Sequence, residues 1–431
     1  MDKKYYPALD ETLYSQTLPN GLHLMVCHKP GFTKKLCYFA ADYGAVHREF
    51  TLEGQKYTVP AGIAHYLEHK LFDMPQGDVS SQFAALGASV NAFTSYDMTA
   101  YYFSCTEHFA DCLKLLLEFV STPYFTEETV AKEQGIIGQE IAMSADEPGS
   151  RAFENLMTVL YEKHPIRVPV LGTEDSIAGI TPQLLHLCHK AFYNPANMLL
   201  CIVGDVDAQQ VADIARQVLG DERRPMAEKA DFPEEQLRYV QPLIEEEMPI
   251  AMPTFSLAMK AWCPEKGEAA IRREIIGDLA AEALFGESSA LYMQLYRQGL
   301  IDSSFGGGFD TVDGCAMLAC SGDSDDPQAV RDAILARGVE LARQGIAETD
   351  FLRLKRSAMG RRIRDLDSFD ATCFRLCAYR MSEFDYFRFP ELYDGIEGSE
   401  VQAFLAQVVQ PEGCSLSVIY PTKEERNDES Q

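Results

Sequence analysis

One order of elements is written twice in this chain, and that repetition constrains the fold more than any other feature. In the first copy GIAHYLEHKLF (62–72) reads as a helix and GASVNAFTSYDMTAYYFSC (87–105) as two alternating strands across a turn. CLKLLLEFV (112–120) and FTEETVAKEQGIIGQEI (125–141) follow as helices. In the second copy EIIGDLAAEALFG (274–286) reads as a helix and SSFGGGFDTVDGCAMLACSG (303–322) as a strand pair. DAILARGVELARQ (332–344) and AETDFLRLKRSAMGRRI (347–363) are again helices. The expected fold is α+β: two homologous α/β-sandwich units, each an antiparallel-rich sheet covered on one face by helices. The 431 residues are long for a single core, and a hydrophobic fraction of 46% is ample for two.

The clearest break in composition is GDERRPMAEKADFPEEQLRYVQPLIEEEMP (220–249), rich in charge and proline and poor in apolar periodicity. It divides the chain into a first domain over 1–220, a linker over 221–250 with one short strand near Leu237–Val240, and a second domain over 251–422. A polar tail, 423–431, completes it.

The copies differ in their chemistry. All nine histidines lie before residue 190. Setting Leu71-Phe72 against Leu284-Phe285 puts Asp278, Ala281 and Glu282 opposite His65, Glu68 and His69. The second copy has no imidazole there and no base, so a metal site would belong to the first.

In His65-Tyr66-Leu67-Glu68-His69 the two imidazoles stand four residues apart. On a helix that is one turn, so both rings leave the same face and can converge on one ion. Glu68, beside His69, can serve a water without ligating. Imidazole with carboxylate selects zinc or a similar first-row ion over calcium or magnesium. The pattern alone also fits a helix with two polar-face histidines and an ion-paired glutamate. Thr126–Glu147 reads as a long helix, with Thr126 as N-cap, Glu127 and Glu128 in the first turn and Pro148 ending it. Its Glu133 and Glu140 are seven apart, so two turns stack them on one face with Ile137 between. Two such glutamates among isoleucines are odd for a solvated surface, and a buried ion would explain them.

H-x-x-E-H followed some seventy residues later by E-x6-E resembles the pitrilysin/insulinase family of inverzincin metallopeptidases, which includes the mitochondrial processing peptidase. The resemblance covers nearly the whole chain. PNGLHLMV (19–26) looks like the family's first strand, NAFTSYDMTAYY (91–102) like the strand bordering its cleft, and FYNPANMLLCIVGDV (192–206) like the end of its first unit. The resemblance implies one zinc ion held by His65, His69 and Glu140, with Glu68 as general base and Glu133 orienting a ligand. It implies that Asn91, Ala92, Phe93 and Thr94 lie on the edge strand that pairs with substrate backbone. It also implies a clam-shell half, since in the family two two-unit halves close around a chamber that admits peptides or unstructured segments. The bacterial half-length members, encoded beside a non-catalytic sister chain, resemble this chain most.

One departure stands out. Active members carry an Arg and a Tyr seven residues apart in L-R-x-x-x-G-L-x-Y, which hold the substrate carbonyl. Here, anchored on Gly299-Leu300, those places hold Leu295 and Asp302, with Arg297 two residues from the first. A homologous partner chain supplying the pair is therefore expected, a homodimer being the alternative. The function implied is a zinc-dependent endopeptidase, the catalytic subunit of a two-chain peptidase. The rivals are a non-hydrolytic peptide-binding or scaffold subunit and a zinc hydrolase acting on a non-peptide amide.

Other signals carry less. His186 and His189 in LLHLCHKAFY have no carboxylate to complete a metal set and read as packing or capping. Gly306-Gly307-Gly308 is similar to the glycine-rich loop by which some family members grip peptides, and reads first as a hairpin or bulge. The twelve cysteines are scattered, and Cys105, Cys112, Cys373 and Cys377 read as packing thiols in a reducing cytoplasm. A net charge of −27 argues against nucleic acid. No stretch reaches membrane-helix length, and the first residues lack the apolar run of a secretory signal.

Overall fold

The computed structural model describes residues 1–75, 77–262 and 266–422; the polar tail expected over 423–431 lies outside them. They form two compact units. The first takes residues 1–141, 169–231 and 362–388. Its main sheet has β1 (Asp2–Tyr6), β2 (Glu11–Thr17), β3 (His23–His28), β4 (Lys35–Ala41), β5 (Ser89–Thr94), β6 (Thr99–Cys105) and β7 (Met198–Gly204). The spatial order is β1-β2-β3-β7-β4-β6-β5, antiparallel except for the parallel β3–β7 pair, so β5 is an edge. Three helices lie between these strands in the sequence, α1 (Ile63–Leu71) before β5, and α2 (Phe109–Ser121) and α3 (Glu127–Ala145) between β6 and β7. Successive strand residues face opposite sides. Leu200 and Ile202 therefore join Leu67, Leu113 and Phe119 in the core beneath these helices, while Cys201 faces the other way.

The second unit takes residues 142–168, 232–361 and 389–422. It contains helix α4 (Pro148–Leu160) and strands β8 (Leu243–Met248), β9 (Thr254–Ala261), β10 (Gly306–Val312), β11 (Cys315–Asp323) and β12 (Cys414–Pro421), in the order β8-β12-β9-β11-β10. Only β8–β12 is parallel. Helix α5 (Glu268–Phe285) packs on β10, α4 packs on β9 and β12, and α6 (Glu348–Arg364) follows. The mixed α+β architecture with helix-covered sheets is the expected one.

Two expectations need correcting. The units are not the contiguous stretches 1–220 and 251–422, and their sheets are not covered on one face only. Residues 142–168 count with the second unit and 362–388 with the first. Helix α7 (Phe369–Met381) lies on the first sheet: Tyr38 Oη donates to Asp370 at 2.6 Å, and the Cys373 thiol donates to the Cys201 carbonyl at 3.8 Å. Every residue of β7 is buried, and so are all residues of β9 after Thr254. A strand apolar on both faces needs a helix over each.

The segment 221–250 is also more fixed than a linker. Glu228–Lys229 pairs with Phe50–Thr51 in the first unit, and Leu243–Met248 is β8. The strand lies there and not near Leu237–Val240, where Tyr239 and Val240 make single bonds to the carbonyls of Glu412 and Val159. The Glu235 carboxylate accepts the backbone N–H groups of Lys163 and His164 at 2.6 and 2.8 Å and pairs with buried Lys260 at 3.1 Å. Gly306–Gly308 open edge strand β10 in regular register with Ser321–Ala319, without a bulge. The eleven described cysteines are buried and form no disulfide, including Cys105, Cys112, Cys373 and Cys377. No helix among the described residues is long and apolar enough to cross a membrane.

Candidate metal centre

Helix α1 starts at Gly62, whose φ of 83° and close approach to the Leu171 carbonyl exclude a side chain, since a Cβ there would sit 2.4 Å from that oxygen. Ile63, Ala64, Tyr66, Leu67 and Leu71 are buried, which fixes the roll of the helix and turns His65 and His69 toward α3. The rings lie 4.5 Å apart between centroids. Helix α3 ends at Ala145, two residues short of the expected Glu147, which instead caps the next helix by accepting from Gly149 and Ser150, with Pro148 in that helix's first turn.

Two bonds to backbone carbonyls tie α1 to α3. The Tyr66 hydroxyl donates to the Val130 carbonyl, and the ammonium of Lys70, fully buried, donates to the Thr129 carbonyl at 3.3 Å while pairing with Asp73. Sequence reasoning missed both residues. The available signal was a lysine standing where Leu67, Leu71 and Phe72 demand a buried face.

These anchors leave three donor groups facing one point. Glu140 Oε2 lies 3.8 Å from His65 Nε2 and 3.6 Å from His69 Nε2, and one donor atom from each residue lies within 4.8 Å of the others. A tetrahedral zinc site with bonds of about 2.0–2.1 Å spaces its donors roughly 3.3 Å apart, so the two distances to Glu140 need to close by only a few tenths of an ångström. The set of two imidazole nitrogens and a carboxylate oxygen fits zinc. Among the described residues it is the only such cluster.

The remaining candidates take separate places. Glu133 Oε1 lies 3.0 Å from His69 Nδ1, so the carboxylate holds the ring with Nε2 toward Glu140. His65 Nδ1 is buried without a hydrogen-bond partner. Glu68 is buried and stands outside the donor trio, and its Oε2 accepts from Thr94 Oγ1 at 2.9 Å. Asn91, Ala92, Phe93 and Thr94 all lie on edge strand β5. Only Ala92 and Thr94 share the face of the metal-centre helices; Phe93 makes tilted ring contacts with Tyr38, Tyr102 and Phe374 on the other.

Burial, aided by the neighbouring His69, lowers His65 to about 3, so that ring is neutral, the form that ligates. Burial would lower His69 as well, but the bond to Glu133 and the carboxylates of Glu68 and Glu140 outweigh it and raise the group. Burial raises Glu68 against the opposing His69 charge and Thr94 bond.

The second unit lacks this chemistry in a specific way. Glu282 on α5 pairs with Arg361 on α6. Arg361 lies 13 residues after the first residue of α6 (361 − 348), as Glu140 does on α3 (140 − 127). An ion pair thus bridges two helices at the places of His69 and Glu140. His189 is buried with Nε2 against the Val120 carbonyl at 2.9 Å, a packing role. Leu295 is buried in its unit's core, Asp302 accepts from Ser304 N at 2.7 Å, and Arg297 is exposed.

The distal glutamates should separate by measurement. Glu140→Ala removes a donor and is expected to lose most of the zinc. Glu133→Ala only frees a ring and should weaken affinity by about 10- to 100-fold. Zinc competition titrations with a chelator check this, and equal retention in both variants would refute the division.

Residues 56–174 match the family described as insulinase (peptidase family M16), and residues 179–358 match the one described as peptidase M16 inactive domain. The chain is 35% identical to a Bacillus subtilis (strain 168) protein named uncharacterized zinc protease YmfH, over 96% of this chain and 98% of that one. A crystal structure from Alicyclobacillus acidocaldarius described as M16-like is 31% identical, with a TM-score of 0.92 over 96% of this chain and 99% of that chain. Pitrilysin shares the fold at 18% identity and a TM-score of 0.77, with 97% of this chain matching 46% of its length. With matches across both units and a full-length relative above 30% identity, the chain belongs to the pitrilysin/insulinase family, peptidase family M16.

Proposed function

We propose that this protein is a zinc-dependent endopeptidase cleaving peptides or unstructured polypeptide segments, and that it is the catalytic subunit of a two-chain enzyme. The observation that carries the reading is the convergence of His65, His69 and Glu140, with Glu133 behind His69 and Glu68 beside the trio. His65, His69 and Glu140 would hold one zinc ion. Bound in such a site, zinc supplies Lewis-acid chemistry, acidifying water and polarising a carbonyl. Glu68 then takes the proton of the attacking water and passes it to the leaving amine. Backbone groups of Asn91–Thr94 on the edge of the sheet receive the substrate as an added strand, which gives broad sequence tolerance. The buried thiols, none joined in a disulfide among the described residues, fit a reducing cytoplasm.

A second reading, a non-hydrolytic peptide-binding subunit, is favoured by one observation: Leu295 and Asp302 are an apolar core residue and a locally engaged carboxylate. Metal analysis of the purified chain, followed by cleavage of an unstructured fluorogenic peptide with and without a homologous sister chain, separates the two. Stoichiometric zinc with turnover in either mixture supports the peptidase. Zinc without turnover in both supports the binding subunit.

A further inference from the structure

We infer that Thr94 is the positioning residue of the general base, fixing the Glu68 carboxylate relative to the strand that receives the substrate. The inference rests on the peptidase reading and adds to it a role for a side chain that otherwise serves only as part of an edge strand.

A glutamate's terminal torsion is broad, so a buried carboxylate with one oxygen unrestrained samples a range of directions. Glu68 has one oxygen tied: Oε2 accepts from Thr94 Oγ1 at 2.9 Å. The direction of that bond is set by its surroundings. An ionised carboxylate only accepts, so the hydroxyl proton must come from Thr94. Thr99, directly across the β5–β6 pair, donates to the Tyr43 carbonyl at 2.9 Å and reaches Thr94 Oγ1 only at 3.5 Å. The neighbouring hydroxyl is thereby committed elsewhere and does not compete for Glu68.

The donor is also held rigidly. Threonine is β-branched and stiff at χ1. Thr94 closes the β5–β6 ladder opposite Thr99, which is fully buried. Its side chain leaves the sheet on the α1 face, the only face from which Glu68 can be reached. Backbone and side chain of this one residue therefore serve two partners. The backbone belongs to the edge strand proposed to carry the peptide, and the hydroxyl holds the base. The distance between an extended substrate and the Glu68 oxygen that accepts the proton is then set through a single stiff residue. Misplacing a reacting group by about 1 Å can cost on the order of 100-fold in rate.

The test uses the full chain loaded with zinc, mixed with the homologous sister chain wherever turnover is read. Thr94→Val keeps shape and backbone pairing but removes the donor, and Thr94→Ser keeps the donor. A bond to a charged group is worth roughly 10- to 100-fold. The Val variant should lose about 10-fold or more in kcat with KM within about twofold and zinc content unchanged, and the Ser variant should recover most of the loss. A second readout needs no turnover. A peptide hydroxamate, which shares a proton with the base, should bind the Val variant about 10-fold more weakly than wild type by calorimetry, and the Ser variant nearly normally. If Val compromises folding, Thr94→Ala carries the same comparison. Wild-type kcat and hydroxamate affinity in the donor-less variants, beside an inactive Glu68→Gln, would overturn the role of Thr94 and leave the peptidase reading standing. A wild-type chain that binds zinc but, with the sister chain present, neither hydrolyses peptide nor binds hydroxamate would overturn both.

Discussion

Glu68→Gln is expected to leave zinc content at the wild-type level while lowering kcat by between about 100- and 10,000-fold, the range general acid–base catalysis supplies. The two outcomes separate because Glu68 stands outside the trio of donor groups formed by His65, His69 and Glu140. Glutamine preserves the shape of the buried side chain, and its carbonyl oxygen can still accept from Thr94, now 2.9 Å from Glu68. What it cannot do is take a proton from water. Plasma emission spectroscopy for the metal and a fluorogenic peptide for turnover check the two halves. Turnover comparable to wild type would remove Glu68 from its role as base, and a large loss of zinc would make it a ligand instead.

The second large effect concerns what the chain lacks. A water attacking a peptide carbonyl creates an oxyanion, and losing one donor to it costs on the order of 100- to 1,000-fold in rate. At the two places where the family carries Arg and Tyr, this chain has Leu295, fully buried, and Asp302, whose charge would oppose an oxyanion. The purified chain alone is therefore expected to bind zinc and cleave peptides poorly. Adding a homologous chain whose second half carries Arg and Tyr seven apart should raise kcat by about 100-fold or more, with a smaller change in KM, as expected of a group acting mainly in the transition state. Arg297, exposed and two residues from the equivalent place, is the internal alternative. High activity of the isolated chain, unaffected by Arg297→Ala, would refute complementation while leaving the zinc assignment intact. Loss of that activity in Arg297→Ala would instead assign the role to this chain.

The contrast between the two units shows how far local pattern carries. Counting residues from Leu71-Phe72 and Leu284-Phe285 was enough to set Glu282 opposite His69 and to predict that no metal belongs in the second unit. Counting did not reveal that Glu282 meets Arg361, because the partner lies on another helix 79 residues away. The helices and the strand pairs of both copies were likewise legible, since periods of 3.6 and 2 are written into consecutive residues. The uninterrupted apolar run of β7 fits burial on both faces, which the expectation of one-face cover passed over, and it carried no information on which later segment supplies the second cover.

The sequence by itself determined the donor chemistry: one helical turn between His65 and His69 and two between Glu133 and Glu140 align each pair on one face, because the geometry of a helix is fixed by its own backbone. Only the tertiary structure decided which glutamate meets which histidine nitrogen. That choice depends on how α1 docks on α3 through Tyr66 and the buried ammonium of Lys70, bonds made to carbonyls about sixty residues away. The exchange of residues 142–168 and 362–388 between the units belongs to the same class. Contacts between distant segments are selected by the burial of whole faces and the pairing of buried polar groups, and neither is written in the spacing of neighbouring residues.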